Sequence, residues 1–182
     1  MEDGDKDRAW QIIENDVRPG AAWGPPINVL TDSAAFLLRA EFAGETRPDD
    51  LWRDVSQYAS TFFANPGISF ADAHAAIAHA MAGDDEALAK LRENPTSPAG
   101  DLVKTLTDVY AAFARFDWQT VIDSLIPIMA THERLGGSRA QRDLFEFTLV
   151  SALLKLGRGD EASRLLIMRR PIMANTNSIA GF

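Results

Sequence analysis

Two places in the chain crowd together side chains able to do acid–base or anion chemistry. They are Asp72-Ala73-His74 and the stretch Arg139-Ala140-Gln141-Arg142-Asp143. An aspartate beside a histidine can move protons or hold a metal. An arginine presents a fixed fork of donors to a carboxylate or phosphate. Spacing limits both ideas. Residues two apart do not share a helix face, so Asp72 and His74 diverge on any helix that carries them. His79, five positions beyond His74, is off that face as well. A hydrogen-bonded core histidine is therefore the simpler reading of His74. Arg142 can pair with a carboxylate from a neighbouring helix, and Asp143 suits the positive start of its own helix. The candidate ligand- or partner-binding residues are Asp72, His74, Arg139, Arg142 and Asp143. No catalytic residue and no metal ligand is assigned, and no cofactor is expected. Three scattered histidines without a cysteine or a His-Glu-x-x-His run give little to a metal. His132 reads as a surface residue at a helix end. No phosphate-cradling glycine loop, dinucleotide fingerprint or nucleophile elbow is present.

The elements that must position these residues read as helices throughout. Thr46 with Asp49 predicts a capped start, followed by Leu51, Val55, Tyr58, Ala59 and Phe62 at helical spacing. Ser69 with Asp72 predicts a second capping box before an alanine-rich helix, Phe70 to Met81. Asp84 precedes a short helix over Glu86 to Arg92. Ser97-Pro98 predicts the next start and Asp117 the one after. Gly136-Gly137 stops a helix, and Ser138 with Gln141 caps its successor. Gly157 ends that helix, and Asp160 opens the last one. Nothing alternates as a strand does. Residues 171–182 read as a tail beyond one domain over 1–170. The segment Gly20 to Pro26, which holds Trp23, reads as a loop pinned by its tryptophan or as a proline-rich ligand.

The chain also overlays on itself. Tyr110 to Trp118 matches Val150 to Arg158, and Asp85-Glu86-Ala87 matches Asp160-Glu161-Ala162. A small-residue helix, a Gly/Asp turn and an amphipathic helix thus recur about three times. One such pair cannot bury its apolar face alone, so neighbours must stack. The expected fold is all-α, a right-handed tetratricopeptide-like solenoid of eight or nine helices in antiparallel pairs.

The stretch Gly136-Gly137-Ser138-Arg139-Ala140-Gln141-Arg142-Asp143-Leu144-Phe145-Glu146 resembles the signature of the tetratricopeptide repeat protein 38 family. The Leu156-Gly157-Arg158 turn fits it, and Thr31-Asp32-Ser33 and Phe70 to Ala75 are similar to further segments. The resemblance spans roughly Asn28 to Arg170. Arg139 stands where the family has His, and Phe147 where it has a polar Gln. The family is longer at its N-terminus, so the chain is expected to correspond to its C-terminal half. The resemblance implies a helical-repeat fold and little chemistry.

Net charge is −8, which disfavours phosphate-rich partners, and no nucleic-acid partner is expected. The charge is uneven: −11 up to residue 130 and +3 from Thr131 onward. That asymmetry suits a mixed helical surface, an acidic partner or head-to-tail self-association. Apolar runs are too short for the ~20 residues of a membrane span. The absence of cysteine and of a leader fits a cytoplasmic location. The leading functional reading is a non-catalytic scaffold that binds a protein, a peptide or a small ligand in a concave groove. The alternative is an enzyme acting on a small anionic substrate, with His74 as general base and Arg142 as anion binder.

Overall fold

A computed structural model of the chain describes residues 5–169. The expected tail, 171–182, lies outside the described residues. Within them the fold is all-helical, with no strand. Helix α1 (Lys6–Ile12) runs into a π-helical turn, Ile13–Val17. Then follow α2 (Pro26–Phe42), α3 (Asp49–Phe62), α4 (Ser69–Ala82), α5 (Asp85–Glu93), α6 (Gly100–Ala114) and α7 (Trp118–Ile128). A 3-10 turn (His132–Leu135) leads to α8 (Arg139–Lys155) and α9 (Gly159–Arg169). No helix among the described residues is long and apolar enough to cross a membrane.

Three hairpins follow one another: α4/α5, α6/α7 and α8/α9. Each long helix ends at a residue in the left-handed region, namely Gly83 (φ 72°), Phe116 (φ 63°) or Gly157 (φ 71°). The next N–H then reaches back five residues. Asp84 donates to the His79 carbonyl at 2.9 Å, Asp117 to Ala112 at 3.0 Å and Arg158 to Leu153 at 2.9 Å. This is the Schellman closure, which satisfies carbonyls the helix leaves open. Helix α2 ends the same way, with Gly44 at φ 88° and Glu45 donating to Ala40 at 3.0 Å. The copies are out of register with the sequence overlay by one residue. Phe116 corresponds to Gly157, and Gly83 to Gly157, because backbone geometry and not residue identity fixes the match.

Asp84, Asp117 and Ser138 cap their helices as expected. Ser138 and Gln141 form the reciprocal box, with Ser138 N–H donating to Gln141 Oε1 at 2.8 Å. Three expected starts differ. Helix α3 begins after Pro48 with no side-chain cap, and Asp49 and Asp50 in its first turn favour its dipole instead of Thr46. Helix α4 has Ile68 at its cap. There the Ser69 hydroxyl accepts from Ala99 N–H at 2.9 Å, and Asp72 Oδ2 from Gly67 N–H at 3.0 Å. Both polar groups serve neighbouring loops rather than a capping box. Helix α6 begins at Gly100, past Ser97-Pro98. A Cβ at Gly100 would overlap the Pro95 carbonyl.

Helix α4 is the centre of the molecule. Twelve of its fourteen residues are buried. Its alanines let α2, α3, α5 and α6 approach it closely. Helix α8 crosses back to α2: Arg39 Nη2 donates to the Ala140 carbonyl at 2.9 Å, and its guanidinium lies 5.5 Å from the centre of the Phe147 ring. The side of α4 that holds Asp72 and His74, two of the candidate binding residues, is therefore covered.

Candidate functional site

Asp72 and His74 leave α4 in different directions and are 1% and 0% exposed. Burial pushes the Asp72 carboxyl up, against the backbone N–H groups, that of Gly67 first, that favour its charge. His74 Nδ1 lies 2.8 Å from the Phe70 carbonyl. A carbonyl only accepts, so Nδ1 carries the proton and Nε2 a lone pair. That lone pair is sealed in without a hydrogen-bond partner. The Phe70 ring sits 4.5 Å from the imidazole and the Phe145 ring 6.3 Å. Burial holds His74 near pKa 4, opposed by the Phe70 bond and aided by the Arg39 charge. A general base must reach its substrate. His74, so enclosed, does not meet that condition.

The other three candidates serve the start of α8. Arg139 is exposed and its Nη2 donates to the Arg169 carbonyl at 2.8 Å, tying α8 to the end of α9. Arg142 Nη1 donates to the Gly137 carbonyl and, at 3.4 Å, to that of Gly136. Among the described residues its hydrogen bonds thus go to backbone carbonyls of its own turn, where a neighbouring carboxylate was expected. Asp143 is buried, at 8% exposure. The two candidate segments do meet, through Phe70. A Cβ on Gly137 would run into the Phe70 ring, the same ring that covers His74. What they share is a packing contact.

Two further expectations change. His132 has a side chain only 12% exposed, with Nδ1 2.9 Å from the Met129 carbonyl and Nε2 3.8 Å from Glu146. Glu146 also receives Arg169 at 2.9 Å. Trp23 is 96% exposed, so it pins nothing.

The chemistry absent from the sequence reading lies on the other end of α4. Ser56 of α3 places its Oγ 2.8 Å from His79 Nδ1 and 3.3 Å from Asp84 Oδ2. Asp84 Oδ1 meanwhile caps α5 through Ala87 N–H at 3.1 Å. Serine stands between carboxylate and imidazole, and it is only 3% exposed. A serine nucleophile needs an exposed oxygen next to its base, so the trio orients His79 and does not attack. Burial lowers the His79 pKa to about 4, with the Asp84 charge opposing. His79 lines a 60 Å³ recess. Ser60, Ala87 and Lys90 join that recess to a wider 540 Å³ cleft.

A second surface gathers arginines. Arg47, Arg53 and Arg115 line a 450 Å³ cavity with Asp49 and Asp85 on a floor of small apolar residues. It shares Asp85, Leu88 and Ala111 with a 520 Å³ cavity along α5 and α6. The two form one groove. Arg47 is fixed there. Its Nε donates to Glu41 Oε2 at 3.1 Å and its Nη1 to the Ala114 carbonyl at 3.1 Å. Its guanidinium lies 5.3 Å from the Phe116 ring centre. Glu41 also accepts from Trp52 Nε1 at 2.8 Å, and its burial still pushes its carboxyl up. None of the four cavities is lined by Asp72, His74, Arg139, Arg142 or Asp143. Among the described residues, no group of three or more acids and histidines is placed to hold a metal.

No protein-family model matches the chain, and no solved structure matches it.

Proposed function

We propose that this chain is a non-catalytic helical-repeat scaffold of the tetratricopeptide repeat protein 38 kind, acting in the cytoplasm and binding a protein or peptide partner. The observation that carries this reading is the fourfold recurrence of one helix ending, at Gly44, Gly83, Phe116 and Gly157. Tandem helix pairs built on one turn commonly serve as binding surfaces rather than as catalytic frames. The enclosed His74 and the turn-bound Arg142 support the non-catalytic side.

The docking surface in this reading is the groove over α5 and α6, not the covered face of α4. Its floor is Leu88 and Ala111, and its end carries Arg53 and Arg115. Arg115 is exposed, and Arg53 pairs with the 92% exposed Asp50. Exposed charges at a groove end steer a partner of opposite sign. The fitting partner is an extended or helical segment with apolar anchors and an acidic end. Display of a peptide library against the whole chain tests this. Selected peptides should share that pattern, and Arg53→Glu with Arg115→Glu should weaken them about tenfold or more while the melting curve holds. A selection that yields no saturable peptide, or peptides bound equally by both proteins, refutes the reading.

A further inference from the structure

The recess at His79 is a separate matter from the α5–α6 groove and does not depend on it. Its depth is set by His79, its walls by Phe63, Pro66 and Leu91, and its mouth by Ser60 and Lys90. The imidazole is held by one edge. Nδ1 faces Ser56, which leaves Nε2 as the nitrogen on the cavity side. Nε2 makes no hydrogen bond among the described residues, and it is not sealed off as His74 Nε2 is.

The tautomer follows from the relay. The Ser56 hydroxyl has one proton, and the Asp84 carboxylate can only accept it. With that proton directed at Asp84, Ser56 Oγ accepts from His79 Nδ1–H. Nε2 is then an acceptor at the bottom of the recess, and the low pKa keeps the ring neutral at pH 7. Lys90 at the mouth is the complementary donor. A ligand that satisfies both must donate at one end and accept at the other.

Charge narrows the class. The wider cleft is rimmed by Asp84, Glu86 and Glu93, which repel an anion. Inside the recess the charged lining residue is Lys90, with no carboxylate beside it, so a cation seated at His79 meets a like charge. A neutral group remains. Size narrows it further, because a water needs roughly 10–15 Å³ and 60 Å³ therefore takes a group of about four heavy atoms. We propose that the recess between α3 and α5 binds a primary carboxamide, whose NH₂ donates to His79 Nε2 and whose carbonyl accepts from Lys90. The carboxamide comes either from a free small amide or from a glutamine side chain presented by a peptide lying in the outer cleft.

Long-range ¹H–¹⁵N correlation spectra of the whole chain test this, because only three histidines contribute. In the free protein His79 should show a protonated Nδ1 and a bare Nε2. Propionamide should then shift Nε2 of His79 in a saturable way, with an affinity on the order of millimolar. Propionate and propylammonium at equal concentration should not. Lys90→Met, at an exposed position, should weaken propionamide roughly tenfold with an unchanged melting curve. N-acetylglutamine methylamide distinguishes the sources: tighter binding than propionamide assigns the site to a peptide, and equal binding to a free amide, and either supports the carboxamide. A protonated Nε2 in the free protein, equal shifts from all three small probes, no saturation, or undiminished binding by Lys90→Met overturns it.

Discussion

Gly137→Ala should cost far more than Gly83→Ala, although both glycines have nearly the same positive φ. Their φ angles are 75° and 72°. A β-carbon in the left-handed region costs about 1–2 kcal/mol, and both variants bear that cost. At Gly83 the added methyl meets nothing within 4 Å. At Gly137 it runs into the Phe70 ring. The Phe70 ring also packs edge-on against His74, 4.5 Å between ring centres, which opposes its retreat. Overpacking of this kind adds about 1–3 kcal/mol. The expected totals are about 1–2 kcal/mol for Gly83→Ala and about 2–5 kcal/mol for Gly137→Ala. In a domain of this size each kcal/mol lowers Tm by about 2–4 °C. Urea unfolding of both variants measures the gap, and a cycle with Phe70→Ala isolates its cause. In the Phe70→Ala background the excess at position 137 should vanish, a coupling of about 1–3 kcal/mol. Equal costs at the two glycines, or an excess that survives loss of the ring, would refute the claim that this contact joins α4 to α8.

Ser138→Ala should lose about 0.5–2 kcal/mol in urea unfolding, since it removes one half of the box at the α8 start. Ala76→Leu should lose about 1–3 kcal/mol by the same measurement, because Ala76 is 0% exposed within α4; a neutral midpoint would deny the close packing. Arg142→Ala should lower the unfolding midpoint through the Gly136–Gly137 carbonyls it leaves and should leave affinity for small anions unchanged; lost anion affinity at constant stability would return Arg142 to a binding role. Stability should fall as pH drops from 7 to 5.5. His74 and His79 have folded pKa values near 4, below the ordinary 6.5, so the unfolded chain binds protons first. The raised carboxyls of Asp72 and Glu41 act in the opposite sense, because there the folded chain binds protons first. A urea midpoint that stays level from pH 7 to 5.5 would contradict the burial of both imidazoles.

The sequence was legible where a residue serves its own helix. Asp84, Asp117 and Ser138 cap the turns they precede, so pattern and geometry agree. It misled where polar groups serve a distant partner. Ser69 holds the loop before α6, and Asp72 holds Gly67. The alanines of α4 announced close packing, but not that α8 would return to α2 and cover His74. Nothing local marked Ser56, His79 and Asp84 as a unit. They come from three elements, and only the fold brings them within hydrogen-bonding range. Trp23 shows the opposite limit: its type suggested burial, while its loop leaves it in solvent.

The bond from Arg39 to Ala140 joins residues 101 positions apart, and this has a consequence for synthesis. Helix α4 leaves the ribosome long before α8 does. Growth at roughly 5–20 residues per second puts about 4–15 s between them. During that interval α2, α3 and α4 can pair, but the Phe70–His74 wall has no lid. The nascent chain therefore carries an aromatic wall at Phe70 and His74 until Gly137 and Phe145 arrive against it. A chain halted after α7 should present that surface to a chaperone, and release of α8 should withdraw it.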